Sequence, residues 1–426
     1  MARGWRCIIG TYIGCMTMVG SYMLLSVFLI PLTQKYGIGM GAASLLFTFN
    51  GIGSLLANFF GGSLIEKIHP KYMYILGALC LLQFYLLAAF SGNIMVLYVS
   101  SIFYGVGVVF SGYLPAMALI SRWVDKGRGT LLSLPSVMVN LFVVVMSPIM
   151  TSLLSKYDFA DLMLYFGLIA CGIIIIVALF FISRMPSHYG IGQISIGKNN
   201  PNEGNKDKPV NLNQDANTSL PVREISKLPQ FYFVLISAVF LTFSSVLFSS
   251  NAIPYFTTIG LSQADAAYAF SIYNLIRIAV IFLFGVLCDR IGPAKTIAIY
   301  GVVGGCVLFF NGFMQGLAGA VIVSLAAGVA PIAGVVGSNM FPKMFGAKNS
   351  SQLIGYPHVA CSIGSMVGPP FAGFIFDSLG SYTVALITAG AFILFAGLLA
   401  HAAGSKKSLE SIKVADDKYL ATLESE

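Results

Sequence analysis

Gly62-Ser-Leu64-Ile-Glu66-Lys67-Ile68-His69-Pro70-Lys71 and Gly285-Val-Leu287-Cys-Asp289-Arg290-Ile291-Gly292-Pro293-Ala-Lys295 fit one pattern, Gly-x-Leu-x-acid-base-Ile-x-Pro. Their leading glycines stand 223 residues apart. A second pair of marks, Ser147-Pro148 and Gly368-Pro369, recurs at an offset of 221 residues. Two independent features at nearly one offset mark a chain built from two copies of one unit.

Each loop of the pair follows a long apolar run, and such runs dominate the chain. Of 426 residues 57% are hydrophobic and 9% charged, where a soluble domain carries about 25% charged residues. No soluble fold of this size hides that much apolar surface, so the solvent is lipid. Crossing the hydrocarbon core takes roughly 17–25 residues as a helix. Twelve runs qualify: 8–32, 42–65, 72–91, 94–119, 130–154, 162–182, 231–255, 266–287, 296–315, 318–340, 352–376 and 382–401. The expected fold is therefore an all-α membrane protein of twelve transmembrane helices in two pseudo-symmetric six-helix bundles. Residues 1–182 form the first half and 230–401 the second. Between them, 183–229 is rich in Asn, Lys, Pro, Asp and Ser and reads as a polar linker. The tail 402–426 is polar and suits a short surface helix. The first run is too long for a signal-peptide core and shows no cleavage site, so it is expected to stay as the first helix.

Charge placement orients the chain. With the N-terminus inside, 21 of the 24 basic residues fall in cytoplasmic segments; Lys35 and Lys156 fall outside, and Arg277 lies within a helix. The formal charge of +8 is thus a topology signal that sets both termini and the linker in the cytoplasm of a cell-membrane protein. It does not point to nucleic acid. The sequon Asn217-Thr-Ser219 then lies on the cytoplasmic side, out of reach of glycosylation. Cys7, Cys15, Cys80, Cys171, Cys288, Cys306 and Cys361 are scattered, mostly in apolar runs, without metal-binding or disulfide spacing. No cofactor or metal is implied. Nucleophile motifs, acidic pairs at depth and Walker motifs are missing, which argues against a membrane enzyme and against ATP as the energy source. A sensor would need a signalling domain, and neither the linker nor the tail supplies one.

The paired loop resembles the signature of the major facilitator superfamily. Its acid and base suit a cytoplasmic charge latch that opens as two halves rock. The latch set is Gly62, Glu66, Lys67, Gly285, Asp289 and Arg290, joined by Arg122 and Arg128. Gly62 and Gly285 are expected to let neighbouring helices approach closely. The first copy departs from the signature with Glu66 for Asp and His69 for Gly. Within the superfamily the chain looks like the monocarboxylate porter and oxalate/formate exchanger group. Arg122-Trp-Val-Asp-Lys-Gly-Arg128-Gly129 resembles that group's loop between helices 4 and 5. Leu228-Pro229-Gln230-Phe231, Asn251-Ala-Ile-Pro254-Tyr255, Ser271-Ile-Tyr-Asn274-Leu275 and Gly368-Pro-Pro-Phe-Ala-Gly373 through Gly380-Ser-Tyr382 also look like group features.

All sixteen Asp and Glu fall in loops or helix ends, and Arg277 is the one basic residue placed deep. A charge at that depth costs about 2.5–3.5 kcal/mol on insertion scales and is a functional candidate by default. A guanidinium grips a carboxylate through two parallel hydrogen bonds; the competing reading is a packing Arg held by carbonyls. One cation without a buried acid suits a monoanion. The resembling group places its carboxylate-binding Arg four residues before the Gly matching Gly285, where this chain has Ile281. Arg277 stands one turn earlier, where the proton-coupled branch carries an Asp, so coupling through that pair is not supported. Cys361 takes the place of the oxalate branch's second cation, a Lys, which argues against a dicarboxylate. His358 can donate to a carboxylate or carry a proton, or pack against a neighbouring helix; Pro357 beside it is expected to kink the helix. Tyr113, Tyr22, Asn140, Asn251 and Asn274 complete the substrate-binding candidates, each with interhelical packing as its alternative. Gly105, Gly107, Gly334, Gly337, Gly364 and Gly368 read as packing positions.

The expected function is secondary transport of a small organic monoanion such as lactate, formate or pyruvate by alternating access, as symport with a proton or exchange for a counter-substrate. The partners are the carboxylate and the lipid bilayer, and the functional unit is a monomer. The alternative is a facilitator-type exporter of a larger neutral or cationic compound, with Arg277 structural.

Overall fold

The computed structural model describes residues 2–124, 128–183, 220–313, 315–328, 340, 344–345 and 355–425. The apolar runs become helices: α1 (Ala2–Met23), α2 (Leu25–Tyr36), α3 (Met40–Lys67), α4 (Pro70–Phe90), α5 (Ile94–Phe110), α6 (Tyr113–Trp123), α7 (Arg128–Leu154) and α8 (Phe159–Phe180). A short turn of helix, α9 (Val222–Ile225), precedes α10 (Pro229–Thr258), α11 (Gln263–Ile291), α12 (Pro293–Phe309), α13 (Gly316–Gly328), α14 (Gly355–Leu379), α15 (Thr383–Ala403) and α16 (Lys406–Ser425). Among the described residues nine spans are long and apolar enough to cross a membrane, with α5 and α6 together making one of them. The pair α1 and α2 makes a tenth, bent by 40°, and α12 and α13 are shorter apolar helices at the ninth and tenth expected positions.

Local chemistry sets the ends. Asn93 caps α5 with its side-chain oxygen accepting from the Met95 amide at 2.9 Å, and Gly37 closes α2 in the left-handed region at φ 63°. The two loop copies end differently. Gly292 sits at φ 87°, ψ 154°, a conformation open essentially to glycine alone. His69 sits at φ −65°, ψ 127°, and its Nδ1 accepts from the Lys71 amide at 3.2 Å. The first copy can therefore spare the glycine because its turn is extended and its side chain caps α4. Pro follows in both, at the first helical position, where its missing N–H is harmless.

Two compact units emerge: unit 1 is Met1–Asn205 with Ser249–Leu275, and unit 2 is Lys206–Phe248 with Ile276–Glu426. In unit 1, α3 packs on α5, and α4 on both α5 and α8. In unit 2 the main pairing is α12 with α15. Small residues make these seams, as expected where lipid replaces water and close packing drives association. A Cβ on Gly301 would lie 3.0 Å from the Cα of Gly397, and one on Gly305 2.8 Å from the Gly390 oxygen. A Cβ on Gly167 of α8 would come within 2.5 Å of the Tyr85 Cβ of α4. Gly167 and Gly390 are 223 residues apart, the offset of the paired loops, so the duplication extends to helix packing.

Three features depart from the expected spans. The first breaks at Leu24. The fourth is interrupted at Ser111 and Gly112, between α5 and α6. Lys35, on the expected outer side, donates to the carbonyls of Ala88 (2.6 Å) and Ala89 (2.8 Å) at the end of α4. A cation there completes the negative end of the helix, so this basic residue has a local task besides any topological one. The tail forms α16, held by the Gln230 amide donating to the Ser411 hydroxyl at 2.6 Å, with Ile412 buried.

Candidate functional site

Arg277 is the middle residue of the 29-residue α11, which sets it near the midplane of any bilayer that the helix crosses. It belongs to unit 2 and is half-buried. Its stem runs beside Gly328 of α13, where an added Cβ would lie 3.8 Å from the Arg277 Cγ. A methyl group at 328 would meet the stem at van der Waals distance and press more closely, at 3.3 Å, on the Ile276 Cγ2. Neither composition nor spacing signalled Gly328. His358 lies in the first turns of α14, and its side chain is outside the described residues. Pro357 lies beside it in α14, which also carries Pro369 and Pro370; the residues before Gly355, against which a bend at Pro357 would be read, are outside the described ones.

The remaining substrate candidates are in unit 1. Asn251 of α10 accepts from the Ser44 hydroxyl of α3 at 3.3 Å. On α11, the Ser271 hydroxyl donates to the Val144 carbonyl of α7 at 2.8 Å, and the Ser147 hydroxyl of α7 reaches the Ala267 carbonyl at 3.4 Å. Thus Ser249–Leu275, the end of α10 and the start of α11, is bound to first-half helices. These two antiparallel contacts set a register that, continued by one turn, brings Asn140 level with Asn274.

Those two asparagines share an arrangement. Asn140 is 3% exposed and donates to the Ser136 carbonyl at 2.7 Å; Asn274 is 0% exposed and donates to the Phe270 carbonyl at 2.8 Å. Each side-chain amide is thus turned to its own helix, four residues back. The Oδ1 atoms of both are buried without a hydrogen-bond partner among the described residues. Buried polar atoms are as a rule satisfied, so two orphan acceptors at one level ask for a donor from water or a ligand.

The aromatic candidates sit in packing clusters. Tyr22 meets Phe47 and Tyr104 edge-on, at centroid separations of 5.7 and 6.4 Å. Tyr113, at the start of α6, packs on the cluster of Cys15, Val19, Ala116 and Val139. Of the latch set, Arg122 is half-buried in the last turn of α6 and Arg290 is exposed in the last turn of α11. The side chains of Gly62, Glu66, Lys67, Arg128 and Asp289 lie outside the described residues. Among the described residues the close helix approach expected at Gly285 is not found: an added Cβ there meets nothing within 4 Å. Packing roles hold instead at Gly105, Gly107, Gly364 and Gly368, each of which abuts backbone of a neighbouring helix. Gly334 and Gly337 fall outside the described residues.

Apolar helices long enough to span lipid, an internal duplication and a cation at the midpoint of one of them suit a membrane carrier, and comparison with known proteins fixes its family. The sequence model of the Major Facilitator Superfamily matches residues 11–310 and 234–413. The chain belongs to the Major Facilitator Superfamily, and its fold is that family's twelve-helix fold. The oxalate:formate antiporter of Oxalobacter formigenes is 24% identical over 371 residues, covering 86% of this chain and 84% of that one. Monocarboxylate transporter 12 of Xenopus laevis is 21% identical over 418 residues, covering 93% and 87%. Among solved structures the nucleoside transporter NupG superposes with a TM-score of 0.69 at 12% identity, over 95% of this chain and 99% of that one, a likeness of fold.

Proposed function

We propose that the chain is a secondary active transporter of a small organic monoanion, a monocarboxylate of the size of formate, lactate or pyruvate, that works by alternating access with Arg277 as the carboxylate anchor. The observation that carries this reading is Arg277 itself, a guanidinium fork at the midpoint of an apolar helix. A cation is retained at such depth where an anion or dipole meets it, and a planar guanidinium matches a carboxylate. Two relatives whose names state carboxylate cargo, the oxalate:formate antiporter and monocarboxylate transporter 12, align over most of the chain. Cys361, half-buried in α14, supplies no second cation, which favours a monoanion over a dianion.

The hydrogen bonds of Ser44, Ser147 and Ser271 support the alternating-access part. They tie one end of α10 and α11 to α3 and α7, and these three bonds are neutral, so they can part and re-form within a transport cycle. In the expected orientation that end faces outward. The orphan Oδ1 atoms of Asn140 and Asn274 suit a polar pathway, because they can accept from water or from a hydroxyl on the cargo.

The test is counterflow of labelled carboxylates in proteoliposomes. Wild-type protein is expected to exchange one or more monocarboxylates, Arg277→Ala to lose the exchange, and Arg277→Lys to keep a small part of it with a raised KM. Full exchange by correctly folded Arg277→Ala would remove Arg277 from the site. Exchange of dicarboxylates but not monocarboxylates would overturn the substrate class.

A further inference from the structure

The departure of the first loop copy from its repeat has a use of its own. Where the second copy needs Gly292, the first carries an imidazole, and that imidazole lines a cavity of about 290 Å³ with Arg6, Lys71, Leu179, Phe180, Phe181, Ile182 and Ser183. The volume is at the lower bound of small-ligand sites, about 300 Å³, and suits a compact headgroup. All of these residues belong to unit 1 and lie outside the set assigned to substrate. Three chain segments line the cavity: the starts of α1 and α4 supply the cations Arg6 and Lys71, and the end of α8 with the residues after it supplies the apolar wall and Ser183.

The chemistry of the lining is that of phosphate recognition. Arg6 offers a guanidinium, placed 5.9 Å from the Phe181 ring centroid, and Lys71 an ammonium, 4.9 Å from that of Tyr72. The Phe181 ring is itself part of the lining, so its contact keeps the Arg6 guanidinium near the wall of the cavity. The Nδ1 of His69 accepts from the Lys71 amide, which assigns the ring proton to Nε2, a third donor group. His69 also starts α4, so the positive end of a 21-residue helix adds to the field. Among the described residues no carboxylate pairs with Arg6 or Lys71; the ion pair found there joins Lys227 and Glu224.

Two observations point to a lipid as the source of that phosphate. Leu179 and Phe180 line the same cavity yet are 57% and 68% exposed, so in a membrane their side chains meet acyl chains. Trp5 and Tyr72, neighbours of Arg6 and Lys71, are exposed aromatics, the residue types that favour the headgroup level. The expected orientation sets this end of the helices at the cytoplasmic leaflet, which carries the anionic lipids.

We propose that Arg6, His69 and Lys71 form a site for the phosphate of an anionic phospholipid, with the acyl chains lying along Leu179 and Phe180. The test titrates delipidated protein in detergent with phosphatidylglycerol and reads the thermal unfolding midpoint. Parallel titrations use phosphatidylcholine, glycerol phosphate and inorganic phosphate. Phosphatidylglycerol is expected to raise the midpoint and the other three to leave it nearly unchanged. Arg6→Gln/Lys71→Gln is expected to need roughly thirty-fold more lipid for the same shift, while Lys406→Gln/Lys407→Gln keeps the wild-type response. If the Arg6/Lys71 variant does not fold, Ser183→Glu, which sets a carboxylate among the cations, carries the test and is expected to lose the lipid shift. An undiminished shift in whichever of these variants folds would overturn the site. Equal loss in the Lys406/Lys407 control would show a diffuse surface effect and also overturn it. An equal shift from phosphatidylcholine would overturn the anionic selectivity. Protection by glycerol phosphate or inorganic phosphate equal to that by the lipid would overturn the lipid assignment.

Discussion

Replacing Gly105 by Ala tests how the first six spans are held together. Gly105 lies where α5 crosses α3. An added Cβ would overlap the Asn50 carbonyl oxygen and come within 2.8 Å of its carbon and 2.9 Å of the Ser54 nitrogen. These are backbone atoms, so no rotamer change relieves the overlap and the helices must part. Overpacking of this kind costs about 1–3 kcal/mol. Parting also stretches three hydrogen bonds along the same seam, from Tyr98 to the Ala42 carbonyl (2.7 Å), from Ser101 to Leu46 (2.7 Å) and from Ser54 to Gly105 itself (3.1 Å). Each is worth ~0.6 kcal/mol in a membrane protein. Alanine recovers about 1 kcal/mol of helix propensity. The net expectation is a loss of roughly 2–4 kcal/mol, read by unfolding in mixed micelles of increasing SDS fraction and followed by helical circular dichroism. Gly172→Ala in α8 is the control, since nothing lies within 4 Å of its added Cβ; it is expected to gain up to about 1 kcal/mol from propensity alone. Equal stability of Gly105→Ala and wild type, or equal loss in both variants, would refute the reasoning.

Three further outcomes are expected. Gly292→Ala forces a Cβ into φ 87°, ψ 154° and should cost about 1–3 kcal/mol in the same micelle assay. Lys35→Met removes the cation that serves the Ala88 and Ala89 carbonyls and should cost about 1 kcal/mol; an unchanged unfolding curve would dismiss the helix-end role. Asn274→Leu deletes a buried orphan acceptor, so stability should hold or rise while counterflow falls. Unchanged counterflow in a stable Asn274→Leu would place this side chain outside the pathway.

Much of the fold was legible because lipid imposes a simple code. Backbone groups in hydrocarbon must bond internally, so each long apolar run becomes a helix, and the positions of all twelve runs hold where residues are described. The repeat was legible at the loops because charge and proline stand out against apolar sequence. It was not legible at Gly167 and Gly390, which have the same offset but lie among many glycines of equal appearance. The break at Leu24 carries no signal: Pro31 lies seven residues further on, and a proline ring disturbs the carbonyl four residues back. The interruption at Ser111 and Gly112 depends on tertiary contacts, among them the Ser111 hydroxyl donating to the Tyr74 carbonyl at 3.1 Å. At the candidate site the deep charge of Arg277 was conspicuous, whereas Asn140 and Asn274 acquired weight from burial and the shared orphan oxygen, neither of which a sequence displays.

The unit boundaries cut α10 between Phe248 and Ser249 and α11 between Leu275 and Ile276, yet both helices are continuous there. Mechanically they are struts clamped at both ends. A bend or twist between the units has to pass through these two helical rods, with Asn274 on one side of the cut in α11 and Arg277 on the other. Stiffness in the stretch of α10 around Phe248 and Ser249 is thus a mechanical property separate from the side chains proposed to meet cargo.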